Sequence, residues 1–204
     1  MKLNRLEKDP NQINFVYWFV RAGVYWFFKI IWRLKINNRK GVPRTGPLIV
    51  AVNHRSAADP PLIGITVPRV VHFMAKEELF RFAPFAWLLG KLHARPLNRS
   101  GDISALKSAL QILEEKGAMI VFPEGTRSKT DEFRKPKMGV GLLAKKTGAP
   151  ILPTYIHNSG ALGKFKRLSV TYGTVMDASK LDRYEDVAEA VMAEIGKLRE
   201  RYRK

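Results

Sequence analysis

The sequence predicts an α/β fold, with a largely parallel or mixed sheet flanked by helices and an N-terminal amphipathic membrane-associated helix. Three observations support this prediction. The 204 residues are enough for one domain that buries its own core. After Gly41-Val42-Pro43, short apolar runs alternate with helical segments, which is typical of strands joined by helices. Before that point lies one long aromatic-rich stretch.

The N-terminal stretch is predicted to form a helix over residues 14–34, roughly 32 Å long at about 1.5 Å per residue. Arg21 would then lie near the centre of a bilayer, at a cost of about 2.5–3.5 kcal/mol, which opposes a spanning helix. Arg21, Lys29 and Arg33 share one arc, so the pattern predicts an in-plane interfacial helix with a basic edge. Packing of this helix on the domain core is the alternative. The predicted lipid-facing side contains Val16, Phe19, Val20, Val24, Phe27, Ile30, Ile31 and Leu34.

The remaining chain alternates between strands and helices. We expect strands over residues 48–52, 70–75, 93–97, 118–122, 151–156 and 168–175. We expect helices over residues 60–66, 77–91, 102–116, 137–147 and 181–203. The predicted division is an interfacial helix over residues 1–40 and a catalytic domain over residues 41–204.

The composition excludes several classes of protein. A hydrophobic content of 46% excludes a disordered chain, and a charged content of 26% excludes a multi-span membrane protein. The 36 Lys and Arg residues against 18 Asp and Glu give a net charge of +18, which indicates a polyanionic partner. The absence of cysteine excludes thiolate catalysis and fits a reducing cytoplasm. The first residues lack an apolar core segment, so we expect no secretory signal.

The first group of candidate site residues directly follows the apolar run LIVAV. His54 and Asp59 are five positions apart and would lie about 140° apart on a regular helix, so they can meet only across a turn. Asp59 precedes Pro60-Pro61, which predicts a helix N-cap at Asp59. A carboxylate bonded to one imidazole nitrogen leaves the other nitrogen as a base. The alternative is that Asp59 only caps the helix.

The second group lies in the segment FPEGTRS, which follows a buried strand. Gly125 allows backbone N–H groups to approach a ligand, and Arg127 offers a planar fork suited to phosphate. Glu124 could brace Arg127 or bond a substrate hydroxyl. The alternative is an ordinary turn with an exposed salt bridge.

Together, NHRSAAD and FPEGTRS resemble the two hallmark blocks of the glycerolipid acyltransferases, and in particular of the 1-acylglycerol-3-phosphate (lysophosphatidic acid) acyltransferases. Residues 73–76, 94–99 and 149–153 resemble weaker blocks of the family, in the expected order. Arg95 departs from the pattern, because the family often has an apolar residue there.

The resemblance implies acyl transfer to the free hydroxyl of lysophosphatidic acid, giving phosphatidic acid in phospholipid biosynthesis. His54 would be the general base, and Asp59 would orient it. The donor would be an acyl-CoA or acyl carrier protein thioester, used as a co-substrate without any further cofactor. No acyl-enzyme is expected, since the chain has neither cysteine nor a Gly-x-Ser-x-Gly elbow.

The resemblance also implies the substrate contacts. Lys76, Arg99 and Arg127 would hold the acceptor phosphate, while Glu124 and Gly125 would shape the glycerol pocket. His72, His93 and His157 are expected to be structural, and no metal site is expected because the histidines are scattered.

The expected partners are an anionic membrane surface, lysophosphatidic acid and the acyl donor. The expected location is the cytoplasmic face of the cell membrane, in a monotopic or peripheral attachment. An acyltransferase for another glycerolipid acceptor and a non-catalytic basic membrane-binding protein are the alternatives. Nucleic-acid binding is disfavoured, because the basic residues are spread along the chain without a recognition motif.

Overall fold

A computed structural model describes residues 15–97 and 103–202, apart from the side chains of residues 85 and 97. The described residues form seven strands: β1 (Lys35–Asn37), β2 (Leu48–Val52), β3 (Phe73–Lys76), β4 (Ala94–Leu97), β5 (Ala118–Val121), β6 (Ile151–His157) and β7 (Ser169–Tyr172). They also form six α-helices: α1 (Phe15–Ile31), α2 (Asp59–Thr66), α3 (Ala83–Lys91), α4 (Ile103–Glu114), α5 (Gly139–Thr147) and α6 (Tyr184–Glu200).

The sheet is mixed, which confirms the predicted fold class. Five strands follow the order β1-β7-β6-β2-β5, and β3 pairs with β4 in a separate parallel ladder. A single bridge between His72 and Met119 joins the start of β3 to β5. Strands β6, β2 and β5 are parallel, whereas β7 is antiparallel to β6. The carboxyl ends of β6, β2, β5 and β3 therefore meet at one edge, where α/β proteins bind ligands.

Side-chain alternation along β2 divides the core into two layers. Ile49 and Ala51 face α4, α5 and α6, whereas Leu48, Val50 and Val52 face α1 and α2. All five residues of the strand are buried, as expected for a strand covered by helices on both faces. The turn that contains His54 therefore follows a strand at the centre of the core.

The structure contains one strand that the sequence did not predict and divides one predicted helix. Strand β1 was not predicted, because three residues are too few to show an alternating pattern. The predicted helix over residues 77–91 is divided into a 3₁₀ turn (Glu77–Phe80) and α3. Pro84 lies in the first turn of α3, and Phe82 before that helix is extended, so the chain restarts there.

Helix α1 presents one face to the core and the other to solvent. Tyr17 and Phe28 are buried, and the helix packs against α2. The exposed side carries large apolar residues: Phe15, Trp18, Phe19, Trp26, Phe27, Ile30 and Ile31. Among the described residues, no helix is both long enough and apolar enough to cross a membrane.

The predicted place of Arg21 on the basic edge of the helix, toward the lipid phosphates, is wrong. Its guanidinium turns inward and donates hydrogen bonds to the backbone carbonyls of Ile65, Val67 and Arg69. These carbonyls lie at the C-terminal end of α2 and in the segment after it. The last carbonyls of a helix lack partners within the helix, and the negative end of the helix dipole lies there.

Two residues predicted on the lipid-facing side also pack inward. Val24 is partly buried against the core and Leu34 is only 1% exposed. Helix α1 ends at Ile31, and Arg33 adopts a φ of 51°, so Leu34 leaves the helical pattern. A helical projection could not reveal this reversal of the chain.

We predict that Arg21→Ala lowers the free energy of unfolding by about 1–3 kcal/mol, because partly buried carbonyls lose a charged donor. Arg33→Ala, an exposed arginine just after the same helix, should change it by less than about 0.5 kcal/mol. Urea unfolding followed by circular dichroism measures both. Equal stability of Arg21→Ala and the parent chain would contradict the inward orientation of Arg21 and favour the predicted basic edge.

Candidate active site

The predicted pairing of His54 with Asp59 is present in the structure. His54 Nδ1 lies 2.9 Å from Asp59 Oδ2, across the turn that joins β2 to α2. Asp59 is completely buried, whereas the His54 side chain is 17% exposed. Since Nδ1 faces the carboxylate, Nε2 is the ring nitrogen left to accept a proton from a ligand.

One carboxylate oxygen organises the whole turn. Asp59 Oδ2 also accepts hydrogen bonds from the backbone N–H groups of Arg55, at 2.7 Å, and Ser56, at 2.8 Å. The predicted N-cap role of Asp59 is wrong, because Ala58 precedes the first helical residue and no side chain caps α2. Pro60 and Pro61 have no N–H to be capped, so the Asp59 carboxylate binds the residues before the helix instead.

One face of the His54 imidazole packs on Phe122, the first residue of the segment FPEGTRS. The His54 ring stacks on Phe122, with the ring centroids 3.9 Å apart and the planes 19° from parallel. Stacking on one side and the Asp59 hydrogen bond on an edge fix both the position and the plane of the ring. The imidazole is therefore held in place before any ligand binds.

The Glu124 carboxylate supports the backbone of His54. Glu124 is 1% exposed, and its Oε1 accepts from the His54 N–H at 2.9 Å. Its Oε2 accepts from the Arg134 N–H at 3.0 Å. Among the ion pairs of residues 15–97 and 103–202, none joins Glu124 to Arg127, so the suggested brace is not formed. The predicted contact of Glu124 with the glycerol group stays a prediction.

The turn after β5 is fastened to the His54 turn. The Ser128 N–H donates to the His54 carbonyl at 2.8 Å, and the Ser128 hydroxyl closes the following loop on the Glu132 carbonyl at 2.8 Å. Gly125 has a φ of 70°, and a Cβ there would approach the Lys137 side chain to 2.7 Å. A substitution at Gly125 would therefore strain the backbone and displace Lys137.

The predicted phosphate ligands lie toward β5 and β3. Arg127 is exposed in the turn after β5, and Lys76 is exposed at the end of β3. The bridge from His72 to Met119 brings these two strands together, so both cations lie on the same edge as His54. Arg99 lies outside the described residues. Within the described ranges, no group of three or more His, Cys, Asp or Glu residues could hold a metal ion.

Sequence reasoning missed Asn53, which connects the site to β6. Asn53 is 2% exposed; its amide donates to the Ile156 carbonyl at 3.1 Å and its Oδ1 accepts from the Ile156 N–H at 2.7 Å. Its place just before His54 was a possible signal, but a bond across 103 positions leaves no local pattern.

Together, these features define an α/β protein with a histidine held by a buried carboxylate at the carboxyl ends of its parallel strands. The chain belongs to the Acyltransferase family, whose model matches residues 33–157. Both hallmark segments lie inside this match, so the family resemblance read from the sequence is confirmed.

Individual relatives agree with the family. The chain is 31% identical over 122 residues to 1-acyl-sn-glycerol-3-phosphate acyltransferase of Bacillus subtilis, a match covering 59% of this chain and 60% of that protein. A protein of the same name from Streptococcus pneumoniae is 30% identical, over 74% of this chain and 60% of the relative. The chain thus spans less than two thirds of the length of either relative.

A solved structure shares the fold. The 1-acyl-sn-glycerophosphate (LPA) acyltransferase PlsC of Thermotoga maritima superposes with a TM-score of 0.77 at 26% identity. The superposition covers 92% of this chain and 82% of that one. It therefore extends beyond the family match to most of the described helices and strands.

We predict that Glu124→Ala lowers the free energy of unfolding by about 1–3 kcal/mol, because the partly buried N–H groups of His54 and Arg134 lose their acceptor. Glu189→Ala, an exposed residue of α6, is the control and should stay within about 0.5 kcal/mol of the parent. Thermal or urea unfolding gives the comparison. An unaltered stability of Glu124→Ala would argue that the carboxylate serves the substrate and not the backbone.

Proposed function

We propose that this protein transfers a fatty acyl group from an acyl thioester to the free hydroxyl of lysophosphatidic acid, giving phosphatidic acid. The observation that carries the proposal is the bond from His54 Nδ1 to the buried Asp59 carboxylate, which leaves Nε2 as a positioned base. The names of the relatives from Bacillus subtilis and Streptococcus pneumoniae support this choice of acceptor.

The reaction is a direct attack. His54 Nε2 removes the proton of the glycerol hydroxyl while its oxygen forms a bond to the thioester carbonyl carbon. Asp59 stabilises the resulting imidazolium without itself taking the proton. The carbon–sulfur bond then breaks, and His54 returns the proton to the leaving thiolate. No residue becomes acylated, and the thioester is a co-substrate and not a resident cofactor.

The acceptor phosphate is assigned to the cations on the β5 and β3 side of His54. Arg127 offers a bidentate fork to two phosphate oxygens, and Lys76 adds a point charge. Arg99 is the third predicted ligand. Gly125 is assigned to the glycerol pocket, because its positive φ lets the backbone make the tight turn that precedes Arg127.

The exposed face of α1 is assigned to the membrane surface. Phe19 and Ile30 are each 69% exposed and lie on the side of the helix opposite Tyr17 and Phe28. An apolar face of this kind, next to basic residues, is suited to the boundary between headgroups and acyl chains. This attachment, on the cytoplasmic face, brings the site to a lipid acceptor.

We expect His54→Ala to lower kcat at least about 10²-fold, because the general base is removed. Asp59→Asn should also lower kcat, since an amide cannot stabilise the imidazolium. The assay measures acylation of lysophosphatidic acid in detergent micelles, with products identified by mass. Ser104→Ala on α4 is the control and should turn over like the parent. A near-normal rate for His54→Ala would refute the direct attack.

We expect Arg127→Ala to raise the KM for lysophosphatidic acid at least about tenfold, the equivalent of one lost charged hydrogen bond. The KM for the acyl donor should change by less than about twofold. Arg127→Lys should recover only part of the loss, because lysine cannot make the bidentate contact. Arg183→Ala on the surface is the control. An unchanged acceptor KM would move the phosphate site toward Lys76 or Arg99.

We expect Phe19→Asp together with Ile30→Asp to lower binding to anionic vesicles at least about tenfold, because two apolar groups no longer enter the interface. Deletion of the helix is unsuitable, since it would also remove Tyr17 and Phe28 from the core. The control pair is Ile103→Asp with Val175→Asp, which are exposed outside α1. Sedimentation with vesicles measures binding, and equal losses in both pairs would contradict a specific role for α1.

A further inference from the structure

A cavity opens beside the turn that contains His54. Its volume is about 370 Å³, and its wall includes Asn53 and Arg55, the two residues that flank His54 in the chain. The rest of the wall comes mainly from the end of β6, the segment that follows it and the end of α6. This volume lies within the range of about 300–1,000 Å³ that is usual for ligand sites.

The cavity is strongly basic. Arg55, Lys164, Lys166 and Arg199 line it, against the single carboxylate of Asp131 in the same lining. Asp131 pairs with Arg55, and its backbone carbonyl accepts from Arg199 at 2.9 Å. An anion would therefore find a surplus of positive charge.

His157 belongs to the same wall but adds no charge at neutral pH. Burial lowers the pKa of its imidazole, an effect larger than the opposing one of Asp131. Its ring stacks on Tyr202, with centroids 4.7 Å apart and planes 15° from parallel. The two rings form an aromatic wall beside the cations. The structural role expected for His157 stays a prediction.

Buried donors in this wall lack acceptors. The Ser159 hydroxyl and the Nε atoms of Arg55 and Arg199 are buried without a hydrogen-bond partner among the described residues. Ser159 as a whole is 2% exposed. Gly160 packs against the Arg55 guanidinium, so that a Cβ there would lie 3.0 Å from Nη2. Because buried donors are normally paired, a ligand with acceptor oxygens would complete the site.

The cavity and the predicted acceptor ligands follow different strands, although Asp131 and Phe133 of the loop after β5 also line the cavity. Strand β2, which leads into His54, lies between β6 and β5. Arg127 follows β5, whereas the cavity lies at the end of β6. Direct transfer without an acyl-enzyme needs both substrates bound at once around one base. The cavity adjoins the residues that flank His54 in the chain, so a donor bound there would lie next to that base.

We propose that this cavity binds the phosphate of the pantetheine arm that carries the acyl thioester. This inference rests on the proposed acyl transfer. Coenzyme A and acyl carrier protein both attach their acyl group through a phosphorylated pantetheine, so the shared ligand is that phosphate ester. Arg55, Arg199 and Ser159 donate to its oxygens, and Lys164 and Lys166 line the same wall and add positive charge.

The test changes the charge of the cavity without touching its buried residues. Lys164→Glu with Lys166→Glu should raise the KM for both acyl-CoA and acyl carrier protein at least about tenfold. The KM for lysophosphatidic acid should stay within about twofold, as should the KM for S-acyl-pantetheine, which lacks the phosphate. The control is Lys146→Glu with Lys180→Glu, an equal change of charge at exposed lysines outside the cavity. All assays use nonionic detergent micelles, which removes the attraction to anionic lipid.

Ser159→Ala provides a smaller and cleaner change. Its hydroxyl has no partner in the described structure, so stability should be unaffected while the donor KM rises roughly two- to tenfold. A rise for acyl-CoA alone would assign the cavity to the nucleotide end of coenzyme A and overturn the pantetheine assignment. Rises confined to lysophosphatidic acid, or no change in any KM, would also overturn it.

Calorimetric binding of coenzyme A and of free phosphopantetheine separates this inference from the proposed function. If the parent protein binds both but transfers no acyl group, the assignment of the cavity to phosphopantetheine is supported and the proposed acyl transfer is refuted. If acyl transfer occurs and Lys164→Glu with Lys166→Glu binds coenzyme A as tightly as the parent, the cavity assignment fails alone.

Discussion

The buried carboxylate of Asp59 is the constraint on which the rest of the site depends. One of its oxygens accepts from the His54 ring and from the N–H groups of Arg55 and Ser56. A buried carboxylate is costly unless it is hydrogen-bonded, so these three donors and the carboxylate stabilise one another. The turn is consequently fixed by the same group that orients the His54 imidazole. Loss of the carboxylate would release the turn as well as the imidazole. The local fold and the orientation of His54 therefore depend on the same group.

The second hallmark segment acts on the first through backbone contacts. Glu124 accepts from the His54 N–H, Ser128 donates to the His54 carbonyl, and Phe122 stacks on its ring. The strands β2 and β5 are direct neighbours, so their carboxyl ends deliver the two segments to one place. His54 is thus held from its side chain, its amide and its carbonyl, with Nε2 left for a substrate. In the proposed direct transfer, the region around Arg127 takes the acceptor and the cavity lined by Arg55 takes the donor.

The sequence predicted the parts of the molecule that local patterns encode. The strand over residues 48–52 agrees with β2, and the pairing of His54 with Asp59 follows from a turn between a buried strand and two prolines. Contacts between distant segments could not be predicted in this way. Arg21 reads as the polar edge of an amphipathic helix, yet it binds carbonyls 44 to 48 positions away. Periodicity identifies a helical face without identifying what covers it. The bond of Glu124 to His54 spans 70 positions and that of Asn53 to Ile156 spans 103.

The tautomer of His54 tests the central claim most directly. Nitrogen-15 NMR of the protein labelled at histidine distinguishes a protonated Nδ1 from a protonated Nε2, and His54→Gln identifies the signal. At a pH where the ring is neutral, we predict that Nδ1 carries the proton and donates it to Asp59, while Nε2 shows the shift of an unprotonated nitrogen. In Asp59→Asn the preference should weaken. A parent protein with Nε2 protonated would contradict the assignment of His54 as a base held by Asp59.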